Sequence, residues 1–74
     1  MSITITVDGD ELTLDSRQES VREILRMASE ESGRAKWDRV LVLHPAEGGD
    51  PIEYYSMTLR VLLRHGMRFT TRRH

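Results

Sequence analysis

A chain of 74 residues buries only about 60% of the surface its unfolded form exposes, so it supports one small core and excludes a large internal substrate cavity. Hydrophobic residues at 38%, charged residues at 31% and a formal net charge of −1 lie in the globular range and exclude the apolar poverty of a disordered chain. Without cysteine there is no disulfide staple, no thiolate zinc site and no thiol nucleophile, which fits a reducing compartment.

Ile3, Ile5 and Val7 alternate with Thr4 and Thr6, the period-two pattern of a strand with one apolar face. Asp8-Gly9-Asp10 supplies a tight turn, and Leu12 and Leu14 resume the alternation, completing a hairpin. Ser16 to Glu19 reads as an approach loop. Ser20 and Glu23 then have capping-box spacing, in which the serine oxygen accepts the Glu23 amide and the carboxylate reaches back. Val21, Ile24, Leu25 and Ala28 form the inward stripe of the helix that follows, Arg26 can meet Glu23 or Glu30 on the outer face, and Gly33 is the stop.

Trp37 is expected as a lid between helix and sheet. Val40 to Leu43 are apolar on both faces, as in a central, doubly covered strand ended by Pro45. Residues 46–51 make a loop rich in glycine and acid, Ile52 to Tyr55 a short edge strand, and Thr58 to Leu63 a short strand or irregular turn. Met67 and Phe69 point inward in the last strand, with Arg68 and Thr70 outward. The order predicts an α+β, ubiquitin-like β-grasp domain: a mixed four- or five-stranded sheet, one helix across one face, first and last strands parallel neighbours. One domain covers residues 1–74, with residues 70–74 as a basic tail.

The charge is segregated. Up to Ser20 the chain carries Asp8, Asp10, Glu11, Asp15 and Glu19 against Arg17; from Met57 it carries Arg60, Arg64, Arg68, Arg72, Arg73, His65 and His74 with no carboxylate side chain. Two solvated faces that attract across neighbouring strands account for this, with a docking patch as the alternative. The longest apolar runs are too short to cross a bilayer and Met1-Ser2-Ile3 opens a strand, so the expectation is a soluble, cytoplasmic monomer with no membrane role.

Signals for chemistry are weak. His44, His65 and His74 lack metal-ligand spacing, no Gly-x-Ser-x-Gly elbow is present, and Gly48-Gly49-Asp50 lacks the lysine and helix of a phosphate loop. Four aromatic residues, some of them spent on core, leave few platforms for stacked bases, so nucleic acid is not the expected partner. The reading is a protein without catalysis, cofactor or metal. Pleating places Tyr54 and Tyr55 on opposite faces, making one an exposed contact candidate.

Three stretches carry a family resemblance: Ile3-Thr4-Ile5-Thr6-Val7-Asp8-Gly9, Ser20 to Ala28 in the helix, and Leu63-Arg64-His65-Gly66-Met67-Arg68-Phe69-Thr70. The sequence resembles the prokaryotic multiubiquitin family, small bacterial ubiquitin-like domains. That resemblance implies a modifier or carrier recognised by activating-enzyme, conjugating-enzyme and peptidase-like proteins, in pathways linked to antiphage defence. It also implies partner binding through the sheet face opposite the helix, where Arg68 and Thr70 lie, with Leu41 and Leu43 as a greasy centre if they face outward. Arg72 and Arg73 become candidates for docking to an acidic partner surface. Modifiers of this kind usually end in Gly-Gly, whereas this sequence reads Thr70-Thr71-Arg72-Arg73-His74. Cleavage after Gly49 would remove the last strand. Two readings stay open: conjugation through a non-glycine terminus, with His74 as the candidate residue, or a non-covalent β-grasp interaction module or complex subunit that is never conjugated.

Overall fold

In the computed structural model, which describes residues 2–74, the alternating segments become strands where a buried face is available to them. β1 (Ile3–Val7) and β2 (Asp10–Leu14) form the first hairpin, with Ile5 opposite Leu12 and Ile3 opposite Leu14. Its turn holds Asp8 at φ 52° and Gly9 at φ 87°, a left-handed pair that an Asp-Gly dipeptide tolerates with little strain. β3 (Gln18–Ser20) leads into α1 (Val21–Ser32), and β4 (Val40–His44), β5 (Ile52–Tyr54), β6 (Arg60–Leu62) and β7 (Arg68–Arg72) complete the order.

The main sheet has five strands in the order β2-β1-β7-β4-β5, and β3 pairs with β6 in a separate two-stranded sheet. β7 lies parallel to β1 and antiparallel to β4, so the last strand is the middle of the sheet. Parallel neighbours need a crossover, and the helix is part of it. The expected α+β, β-grasp-like architecture with parallel first and last strands is therefore present. The segment expected as an approach loop instead contains β3, because Gln18 to Ser20 pair with Leu62 to Arg60.

Ser20 Oγ accepts the Glu23 amide at 3.1 Å, as the capping spacing requires. The reciprocal half of the box is absent: the Ser20 amide donates to Glu19 Oε1 at 3.1 Å, and the Glu23 carboxylate binds Arg26. Arg26 also reaches Glu30 at 2.8 Å, so both outer-face pairs form at once. The amides of Val21 and Arg22 donate to the carbonyls of Leu59 at 2.9 Å and Met57 at 3.0 Å. The segment before β6 thus satisfies helix-start donors that have no partner within the helix. Gly33 ends α1 at φ 73° and returns its amide to Ser29 O, a geometry that costs a residue with a Cβ more than glycine.

Val21, Ile24, Leu25 and Ala28 bury their stripe among Ile5, Val7, Leu12, Leu14, Leu41, Leu63 and Phe69. Each fully buried aliphatic or aromatic side chain contributes about 1.5–3 kcal/mol, so the loss of one or two would exhaust the stability of a domain this small. Trp37 is not the expected lid: it is 52% exposed, and the space beneath the helix is already filled by aliphatic side chains and Phe69. Of the tyrosines, Tyr54 packs against the core and Tyr55 is exposed, as pleating requires. No helix of the described residues is long and apolar enough to cross a membrane.

Candidate protein-docking face

The face of the sheet away from α1 is set by the registers of β4 and β7. Leu41 lies opposite Thr71 and Tyr54, and Leu43 opposite Phe69 and Ile52, so both leucines belong to the helix side. Leu41 is fully buried and Leu43 packs partly buried against the core. The expectation that they supply the greasy centre of an open docking face is therefore corrected. Their alternates, Val40 and Val42, take the open side, beside Arg72 for Val40 and beside Thr70 and Glu53 for Val42.

Val40 and Val42 are nevertheless buried, at 0% and 6% exposure, and neither belongs to the core beneath the helix. Polar neighbours on the same face surround them. Arg72 pairs through Nε with a Glu53 carboxylate oxygen, donates from a terminal nitrogen to the Tyr55 hydroxyl at 2.8 Å, and sits 5.7 Å from the Tyr55 ring centroid. Tyr55 in turn donates to Glu53 at 2.6 Å. Beside them His44 Nε2 lies 2.8 Å from Thr70 Oγ1. The Arg72 guanidinium holds the Glu53 carboxyl below its ordinary range, and the hydrogen bond to Glu53 pushes the Tyr55 phenol up.

Arg72 is thus a paired strand residue, not part of a frayed tail. β7 pairs with β4 through Arg72 opposite Val40, which shortens the basic tail expected over residues 70–74 to Arg73 and His74. Those two are exposed beyond β7, beside Ala35, Asp38 and Arg39. Arg68 is exposed at the start of β7, and Thr70 is half-buried at its middle. Arg68, Thr70 and Arg72 therefore share the open face, Arg73 and His74 follow it along the chain, and Leu41 and Leu43 lie behind it.

A second constellation ties this strand to the helix. Lys36 is 5% exposed, and its Nζ donates to Asp8 Oδ2 at 2.7 Å. Thr71 donates twice to the same carboxylate, from its amide at 2.8 Å and its hydroxyl at 2.6 Å. The Lys36 amide donates to Ser29 Oγ at 2.8 Å, and that hydroxyl donates to Leu25 O at 2.8 Å. Burial alone would push the Asp8 carboxyl up, but the donors on Lys36 and Thr71 outweigh it and hold the group below its ordinary value. The cluster fixes the β1–β2 turn, the segment after α1 and the outgoing end of β7 to one another. Sequence reading missed it because Asp8 and Lys36 are far apart in the chain and lysine is seldom buried.

No family model matches the chain, and neither a curated protein nor a solved structure matches it.

Proposed function

We propose that this chain is a ubiquitin-like protein that works by being recognised, a modifier or carrier engaged by activating- and conjugating-type proteins through its open sheet face and outgoing strand. The single observation that carries the reading is the position of β7. It is the central strand, parallel to β1, and it places Arg68, Thr70 and Arg72 on the open face before leading to Arg73 and His74. The likeness of the first-strand, helix and final-strand sequences to multiubiquitin domains supports the same class. Catalysis has no part in this reading, because recognition of the chain by other proteins is all it requires.

One feature favours a second reading, a β-grasp module that docks without being conjugated. The Arg72 clasp on Glu53 and Tyr55 holds the outgoing strand against its own sheet, so Arg72 is engaged within the fold and not presented to an activating enzyme. An amino-terminal epitope tag on the protein in its host separates the two. A ladder of denaturation-resistant higher-mass species that disappears on deletion of Arg73 and His74 supports conjugation. The free species alone, under conditions where the host expresses the protein, supports docking.

A further inference from the structure

A groove of about 560 Å³ wraps the end of the sheet where β4 leaves, β5 begins and the β6–β7 loop returns. Its apolar lining includes Leu43, Ile52 and Met67, of which Ile52 is 47% exposed. Arg64, His65 and Arg68 line it as well. Among the described residues the side chains of Arg64 and Arg68 form no ion pair, whereas Arg26, Lys36 and Arg72 each have a carboxylate partner. Among the described residues that line it, Glu47 is the only acid.

The loop that carries the cations is held before any ligand arrives. Gly66 donates its amide to Thr4 O at 2.8 Å, Thr6 donates to Met67 O at 3.0 Å, and Met67 donates to Arg64 O at 3.2 Å. The Thr4 amide donates to His65 Nδ1 at 3.2 Å, which leaves Nε2–H of the neutral ring as a further donor. Fixed donors around an apolar groove lower the ordering cost of binding. By contrast the cleft between β2 and α1 sets Glu11, Glu30 and Glu31 against Arg26 alone, which is already paired with Glu30, and so disfavours an anionic ligand.

We infer that this groove binds an extended acidic peptide segment of a protein partner, seating an aliphatic side chain against Leu43, Ile52 and Met67 while its carboxylates meet Arg64, Arg68 and His65. Guanidinium groups suit carboxylates because they donate in a planar fork, and charge-assisted hydrogen bonds are the strong ones. The inference goes beyond the modifier reading and does not depend on conjugation. Failure of peptide binding with a ladder present would remove only the groove, and absence of the ladder would leave the groove standing.

The test is a titration of the ¹⁵N-labelled protein at low salt with a capped peptide, Glu-Asp-Val-Leu-Ile-Glu-Asp. Parallel titrations use its charge-inverted form, Lys-Lys-Val-Leu-Ile-Lys-Lys, and a short oligothymidylate. Amide shifts confined to Leu43, His44, Ala46, Glu47, Ile52 and residues 64–68 are expected with the acidic peptide. The paired substitution Arg64→Glu and Arg68→Glu should weaken binding by about tenfold or more, and Ile52→Ser should weaken it while leaving the dispersed spectrum intact. No shifts, shifts on another surface, equal binding of the lysine peptide, or tighter binding of the oligothymidylate at the same residues would each overturn the assignment.

Discussion

Removing the charge of Asp8 while keeping its shape gives the sharpest test of how the outgoing strand is held. Asp8→Asn retains a side-chain carbonyl for Thr71 and tolerates the φ of 52° at this position, but leaves Lys36 Nζ without its anion. Breaking a buried pair by removing one partner costs about 3–5 kcal/mol. Here the Lys36 side chain is 6% exposed but that of Asp8 is 26% exposed, so water reaches one side of the pair. We expect a loss of about 2 kcal/mol, tempered by that solvent access, which in a domain of this size lowers Tm by about 8–16 °C. Urea and thermal unfolding followed by far-UV circular dichroism read both quantities. Adding Lys36→Met removes the stranded charge and leaves its backbone amide free to keep the bond to Ser29, so the double variant should recover to within about 1 kcal/mol of the parent. A double variant as unstable as Asp8→Asn alone, or an Asp8→Asn protein as stable as the parent, would refute the reasoning.

Phe69→Ala empties the fully buried centre of β7 and should cost about 3–5 kcal/mol, enough to leave much of the protein unfolded by circular dichroism at room temperature. Gly33→Ala places a Cβ at φ 73° with no steric neighbour, so the cost is conformational, about 1 kcal/mol in urea unfolding. Asp8 and Glu53 both have folded pKa values below their ordinary 3.8 and 4.5, so their contribution is present above those values and is lost as pH falls through the folded ones. Tm should therefore stay nearly level from neutral pH to about pH 5 and fall below about pH 4, with a smaller fall in the Asp8→Asn, Lys36→Met double variant. Arg72→Gln removes the cation that holds Glu53 down, and side-chain carboxyl NMR should show that group titrating closer to its ordinary value.

Much of the architecture could be read where side-chain pattern and local chemistry agree. The β-branched alternation of Ile3 to Val7, the Asp8-Gly9 turn, the Ser20 cap and the apolar stripe of α1 each demand the local geometry that is observed. Gln18 to Ser20 escaped because three polar residues carry no alternation, and their strand exists only through pairing with Leu62 to Arg60. In Val40 to Leu43 four consecutive apolar residues identify a strand covered on both sides but hide which pair faces the helix. That choice belongs to the register with β7, where Phe69 lies opposite Leu43. Trp37 misled because aromatic character favours burial, yet position after the helix leaves it outside a core already closed. At the open face the outward placement of Arg68 and Thr70 was legible, whereas the strand pairing of Arg72, expected in a basic tail, and the burial of Val40 and Val42 were not. The Arg72 clasp beside them depends on Glu53 and Tyr55, which the sheet alone brings to Arg72.

Recognition through the open face is the central functional claim, and site-directed photo-crosslinking in the host tests it most directly. A photoreactive phenylalanine analogue placed at Thr6 or Arg68, cross-strand neighbours on that face, should give discrete adducts with host proteins. The same analogue at Arg22, on the exposed side of α1, should give none of them. Adducts formed from Arg22 and not from Thr6 or Arg68, or no adducts from any position in cells that express the protein, would contradict the account.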